Sequence, residues 1–202
     1  MGRPAGYDPQ QLIRQARDLF WRRGFDAVSV ADVEQATGVG RSSIYHAHGN
    51  MRGLFDAAVE DYLDTVVRPR LQPLTTDPVA PEAILDFLTA LSAAIGTLAS
   101  NPDAPQGCLL LVSAAAPIGS DTAVHEVIAG YHRELTDAIG HGVDALLPRA
   151  NARVRRQLTR LTVAADIAAL SLSRIDPDAA RATLDAAAEA LRAQARSERT
   201  AQ

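Results

Sequence analysis

Arg41, Ser42, Ser43, Tyr45 and His46 fall within six consecutive residues. A guanidinium, two small hydroxyls, a phenol and an imidazole in so short a span supply donors in several geometries and no carboxylate. That set suits an acceptor-rich surface. A guanidinium donates two parallel bonds to guanine, and hydroxyls meet base edges or phosphate oxygens. Arg41 is a candidate base contact, with a phosphate or solvent role as the alternative. Ser42 and Ser43 are candidates for bases or phosphates. The Tyr45 hydroxyl can donate to a phosphate, or its ring can simply pack at the junction with the following helix.

The other chemistry-bearing residues form no such set. His125, His132 and His141 include no pair spaced i, i+4 and have no cysteine beside them, so solvated histidines are expected rather than a metal site. Cys108, the sole cysteine, lies in an apolar run without an adjacent basic residue, which suits a small buried hydrophobe and rules out an intrachain disulfide. Phe87, Leu91, Cys108, Leu111 and Tyr131 are candidates for lining a ligand cavity, each also able to serve as plain core. No Gly-rich nucleotide loop, P-loop, HExxH or nucleophile elbow is present, so an enzyme is not expected, and neither is a cofactor.

Positioning the Arg41–His46 set requires helices, and the chain signals little else. Leu12, Ile13, Ala16, Leu19 and Phe20 mark one face of a first helix, closed by Arg22, Arg23 and Gly24. Ser29 is an N-cap for a second, with Asp32 three residues on and Val30, Val33 and Ala36 as its apolar stripe. Thr37-Gly38-Val39 makes a tight turn: Gly38 can take positive φ and Val39 can plug the angle between helices. A short third helix runs from about Gly40 to His46, and Asn50 caps a fourth carrying Leu54, Phe55, Ala58 and Tyr62. Two short helices around a three-residue turn with central glycine describe a helix-turn-helix, whose second helix enters the major groove by its leading end.

Beyond it, the fourth helix is expected to end near Arg68-Pro69, with a loop from Pro69 to Pro81. Helices follow around Ile84–Ile95, Cys108–Ala116, Asp121–Leu147, Ala152–Ser173 and, after the Asp176-Pro177 start signal, to about Arg196. The expected fold is all-α, about nine helices, with a helix-turn-helix head at 1–49 and a helical body at 50–202. Small residues Ala182, Ala186, Ala190 and Ala193 let another helix approach the last one closely.

Composition sets the frame. Apolar residues make up 47% of 202, enough for a globular core. Net charge is −4, yet seven arginines face five acids through Phe55, a net of +2 that leaves −6 on the remainder. A mildly basic head on an acidic body fits phosphate contact at one end. Met1-Gly2-Arg3-Pro4 shows no apolar signal core and no myristoylation pattern, and no run is long enough to span a membrane. A cytoplasmic protein with no membrane partner is expected.

The stretch Ile13–Ala58 resembles the DNA-binding head of the TetR (tetracycline-repressor) family. The residues that carry the likeness are Ala16-x-x-Leu19-Phe20-x-x-x-Gly24-Phe25, Ser29-Val30-x-x-Val33, Ala36-Thr37-Gly38-Val39 and Ile44-Tyr45-His46, then Gly49-x-x-x-x-Leu54-Phe55. The resemblance implies a transcriptional regulator, in the usual case a repressor. It would bind a palindromic operator in double-stranded DNA as a homodimer and be released by a small, largely apolar inducer. It places Ser29 on a phosphate and Gly40, Arg41, Ser42, Tyr45 and His46 toward DNA, and it makes the last two helices the dimer interface. Three positions depart from the pattern: His48 replaces an aromatic, Met51 a phosphate-binding Lys, and Gly40 a Ser cap. Asn50, through its amides, and Arg52 are the candidates to substitute for the missing Lys. An activator remains the alternative to a repressor, and a ligand-independent architectural DNA protein the alternative to both.

Overall fold

The computed structural model describes residues 7–101 and 103–200, so the readings made on Met1–Pro4 lie outside the described residues. Helix α1 (Pro9–Arg23) begins on the Asp8 cap and buries Leu12, Ala16, Leu19, Phe20 and Trp21. A 3-10 turn (Phe25–Ala27) leads to α2 (Val30–Thr37), α3 (Arg41–His48) and α4 (Met51–Tyr62). Phe20, Phe25 and Phe55 pack as one cluster with ring centroids 4.9–5.8 Å apart, joining α1, the 3-10 turn and α4. Arg17 ties α1 to α4 through Asp61 at 2.7 Å.

The rest is a helical body: α5 (Arg68–Thr75), α6 (Ala83–Ala99), α7 (Leu109–Ala114), α8 (Thr122–Leu146), α9 (Ala152–Leu172) and α10 (Pro177–Thr200). Helix α10 lies between α6 and α9, while α8 packs on α5 and α9. Several contacts among the described residues join body and head. The Arg174 guanidinium donates to the Trp21 and Arg22 carbonyls at the end of α1, at 3.2 and 2.8 Å. The Asp26 carboxylate accepts from the Ile118 amide, and Arg52 on α4 pairs with Asp121, the N-cap of α8. No helix among the described residues is long and apolar enough to cross a membrane.

The architecture is all-α, as expected, and the differences lie in detail. The fourth helix does not stop at Arg68-Pro69. A π-helical turn (Leu63–Val67) carries it into α5, so Met51–Thr75 is one continuous rod and, counted so, the described residues form nine helices. Pro69 sits in the first turn of α5, directly after the π turn has already interrupted regular bonding. Pro73 costs about 3 kcal/mol inside a helix. Leu71 and Leu74, 4% and 0% exposed, return about 1.5–3 kcal/mol each. Burial therefore outweighs the proline that reads as a breaker. Ala36 is exposed, because α2 buries only Val33 fully. On α9 the buried residues are Thr162, Val163, Asp166, Ala169 and Leu170, leaving Leu161 56% exposed. On α10 they are Ala180, Leu184, Ala188, Leu191 and Ala195, so Ala182, Ala186, Ala190 and Ala193 face outward.

Candidate nucleic-acid interface

Helix α2 starts on a complete capping box: the Ser29 hydroxyl accepts from the Asp32 amide, and the Asp32 carboxylate accepts from the Ser29 amide. The Ser29 hydroxyl and then Arg23, 2.7 Å away on α1, hold the Asp32 carboxyl far below the usual carboxylate range. Helix α2 is thereby fixed to α1 at the end where Ser29 is exposed. Gly38 then takes φ +69°, donating its amide to the Glu34 carbonyl at 2.9 Å, and Val39 plugs the turn at 7% exposure.

Helix α3 opens at Gly40, in an extended conformation (φ −68°, ψ 148°) and without a side-chain cap. The Glu34 carboxylate, reaching across from α2, accepts from the Arg41 amide at 2.6 Å. An acid on the previous helix thus does the work of the missing Ser, satisfying one of the helix's unpaired amides. Glu34 was not among the residues singled out from sequence. Its only signal is an acid seven positions before Arg41, a spacing that becomes a contact only once the turn is in place.

Ile44, fully buried, is the anchor of α3. With Ile44 pointing inward, Arg41, Ser42 and His46 are exposed and Ser43 and Tyr45 are half-buried. The Arg41 guanidinium lies 5.2 Å from the centroid of the Tyr45 ring, a cation–π arrangement that steadies a long side chain without consuming its donors. Helix α3 continues two residues past His46 to His48, because His48 packs inward instead of ending it. Burial lowers the His48 pKa and so favours a neutral imidazole, whose Nε2 has no partner. Close by, the Asn50 side chain caps α4 by accepting from the Gly53 amide at 2.9 Å. Gly53 is required there: a Cβ would stand 2.1 Å from the His48 carbonyl oxygen.

Arg52 is placed differently from the others. Its guanidinium pairs with Asp56 and Asp121, each at 2.8 Å, and Arg52 and the α8 amides hold the Asp121 carboxyl down at about 2. It serves the head–body junction. Met51 is half-buried against the core.

The candidates for a cavity separate. Phe87, Leu91 and Tyr131 line one inner cavity of about 30 Å³, and Phe87 and Leu91 also wall an open groove of about 690 Å³ between α5 and α6. Cys108 is buried, and burial pushes its thiol up. Leu111, half-buried on α7, borders neither space. Arg70 and Asp166 do, although neither was picked from sequence. Asp166 had a signal, as a lone charge within Val163–Leu170. His125, His132 and His141 are all exposed along α8.

Residues 12–58, from α1 into α4, match the family model described as bacterial regulatory proteins, tetR family. Over these residues the chain matches the TetR family's N-terminal domain. It is similar to the HTH-type transcriptional repressor BdcR of Escherichia coli (strain K12), 38% identical over 87 residues, 43% of this chain and 44% of that protein. It is also similar to the HTH-type transcriptional repressor ComR of the same organism, 31% identical over 111 residues, 54% of this chain and 51% of that one. The chain thus spans about half the length of these curated relatives. Among solved structures, a cysteine mutant of the TetR family transcriptional regulator CifR, complexed with a 26-base-pair operator duplex, superposes with a TM-score of 0.78. The two chains share 23% identity over 94% of this one and 99% of the other, a likeness of fold. The matched family model is one of regulatory proteins, and the two curated relatives are transcriptional repressors.

Proposed function

We propose that this chain is a TetR-family DNA-binding transcriptional regulator, in its ordinary action a repressor that a small molecule releases from a palindromic operator. The observation that carries the reading is α3: Ile44 is fully buried while Arg41, Ser42 and His46 stand exposed around the helix's leading turn. That turn fits a major groove, with base edges within reach of Arg41 and Ser42 and phosphates within reach of Ser29, Ser43 and Tyr45. Free amides at Gly40 and at the Asn50-capped start of α4 add phosphate donors. Arg52, held by Asp56 and Asp121, is left out of this surface. Residues 1–49 form the reading head and 50–202 the responsive body, working in the cytoplasm.

The partner copy docks on α9 and α10. Leu161 is 56% exposed there, and Ala182, Ala186, Ala190 and Ala193 give α10 an outward face of small side chains. Such a face permits close helix packing in a self-complementary interface. Two heads then sit one duplex turn apart, roughly 34–36 Å. A ligand in the body alters that spacing through Arg174 on the end of α1 and Arg52 on the cap of α8.

The test is selection of duplexes from a randomised library with the purified protein, followed by anisotropy titration of the winners. A palindromic sequence should be enriched, binding should weaken steeply with salt, and Leu161→Glu should yield monomers by light scattering with much weaker binding. Enrichment of no sequence, with salt-insensitive binding, would overturn the reading.

A further inference from the structure

Arg70, on α5, stands between two spaces. It borders the open groove of about 690 Å³ and also the inner cavity of about 30 Å³. Among the described residues no carboxylate forms an ion pair with it. Across the inner cavity lies Asp166, on α9, 2% exposed and with no hydrogen-bond partner for Oδ2. A buried carboxylate without a partner is costly and calls for an explanation. Here a cation and a carboxyl face one gap without touching. The gap has room for one or two waters or a small polar head. It shares Arg70, Phe87 and Leu91 as walls with the neighbouring groove, which Pro69, Pro73 and Ala83 also line.

We propose that this groove binds an apolar molecule ending in a carboxylate, with its head in the gap between Arg70 and Asp166. The proposal rests on the reading of a ligand-responsive body and names the class of ligand. An apolar tail suits the groove walls, and a carboxylate matches the guanidinium fork with two parallel bonds. Asp166 complements the same head. Burial lifts its pKa to about 7, against the pull of Arg70, so it keeps its proton beside a second carboxylate and donates to it. The other titratable groups on the gap, Tyr62 and Tyr131, are phenols that burial keeps neutral, and Asp86 lies on the exposed rim of the groove. An amine would meet Arg70 as a like charge, and a neutral head would leave the guanidinium without an anion.

The test uses calorimetry on the full chain with octanoate, octanol and octylamine, three probes with one tail. Octanoate should bind at least tenfold more tightly than the other two. Arg70→Gln should lose at least tenfold of that affinity, whereas Arg70→Lys should keep most of it. Asp166→Asn, whose amide still donates, should hold octanoate at pH 8 at least as well as the natural chain. Thermal melts of each variant confirm that it folds. Tighter binding of octylamine or octanol, octanoate affinity indifferent to Arg70→Gln in a folded variant, or no binding of any probe would overturn the proposal. Octanoate binding in the expected pattern without any change in duplex affinity supports the ligand class and removes the regulatory reading instead.

Discussion

The head and the inner body treat charge in opposite ways. In the head, carboxylates are spent on fixing the frame: Asp32 closes the capping box and pairs with Arg23, and Glu34 caps α3. That leaves the Arg41 guanidinium, on the outer face of α3, over a ring and paired with no carboxylate among the described residues. In the body, Asp166 and Arg70 face one cavity without pairing, so charge is left unsettled where water is scarce. Surface recognition needs exposed donors on a rigid frame. Response to a small molecule needs an interior arrangement that a ligand can complete. The roles proposed for the two regions ask for this difference.

The contrast can be broken most forcefully by removing the frame. Ile44→Ala should cost about 2–5 kcal/mol of stability, and because Ile44 is the one fully buried residue of α3 the loss should abolish duplex binding. Chemical denaturation together with anisotropy checks both effects, and retained binding would show that α3 is held some other way.

Asp166→Asn probes the opposite region. In the folded chain Asp166 keeps its proton up to about pH 7, against an ordinary value of 3.8. The folded state therefore binds more protons than the unfolded one between those values, and stability falls as pH rises through that window. The amide should remove this slope and raise stability at pH 8 by up to roughly 4 kcal/mol, with little change at pH 4. Asp121, held down at about 2, acts only on the acid side of this window. Melting curves from pH 4 to 8 decide it, and an unchanged slope would take Asp166 out of the account.

Arg41→Ala should cost about 1–3 kcal/mol of duplex affinity and relax specificity at one base position while leaving the melting temperature in place. That separation of binding from stability is what an exposed recognition residue must show. Asn50→Ala should have the smallest effect, about 1 kcal/mol of stability from the lost α4 cap, with a matching modest weakening of binding.

The head was legible because its determinants are local. A capping residue three positions from its acid, a glycine at a left-handed turn and a buried residue per helical turn are all written along the chain. What sequence left out depended on contacts between elements. Glu34 reaches α3 only across a folded turn. Arg52 reads as a free cation until Asp121 arrives from α8. Pro69 and Pro73 read as a loop because burial of Leu71 and Leu74 is invisible before the body is assembled. Helix α9 carries apolar residues on more than one side, so periodicity alone did not separate the core face from the outward one with Leu161. The placing of Arg70 and Asp166 on one cavity joins residues nearly a hundred positions apart, which no local pattern encodes.

The most direct measurement is methylation interference on a selected duplex, since guanine N7 lies in the major groove. The account predicts that N7 methylation blocks binding at two sets of guanines about one helical turn apart, and that Arg41→Ala loses this sensitivity at one position in each set. Binding that tolerates N7 methylation throughout, or a pattern identical with and without Arg41, would contradict the assignment of α3 as the element that reads DNA.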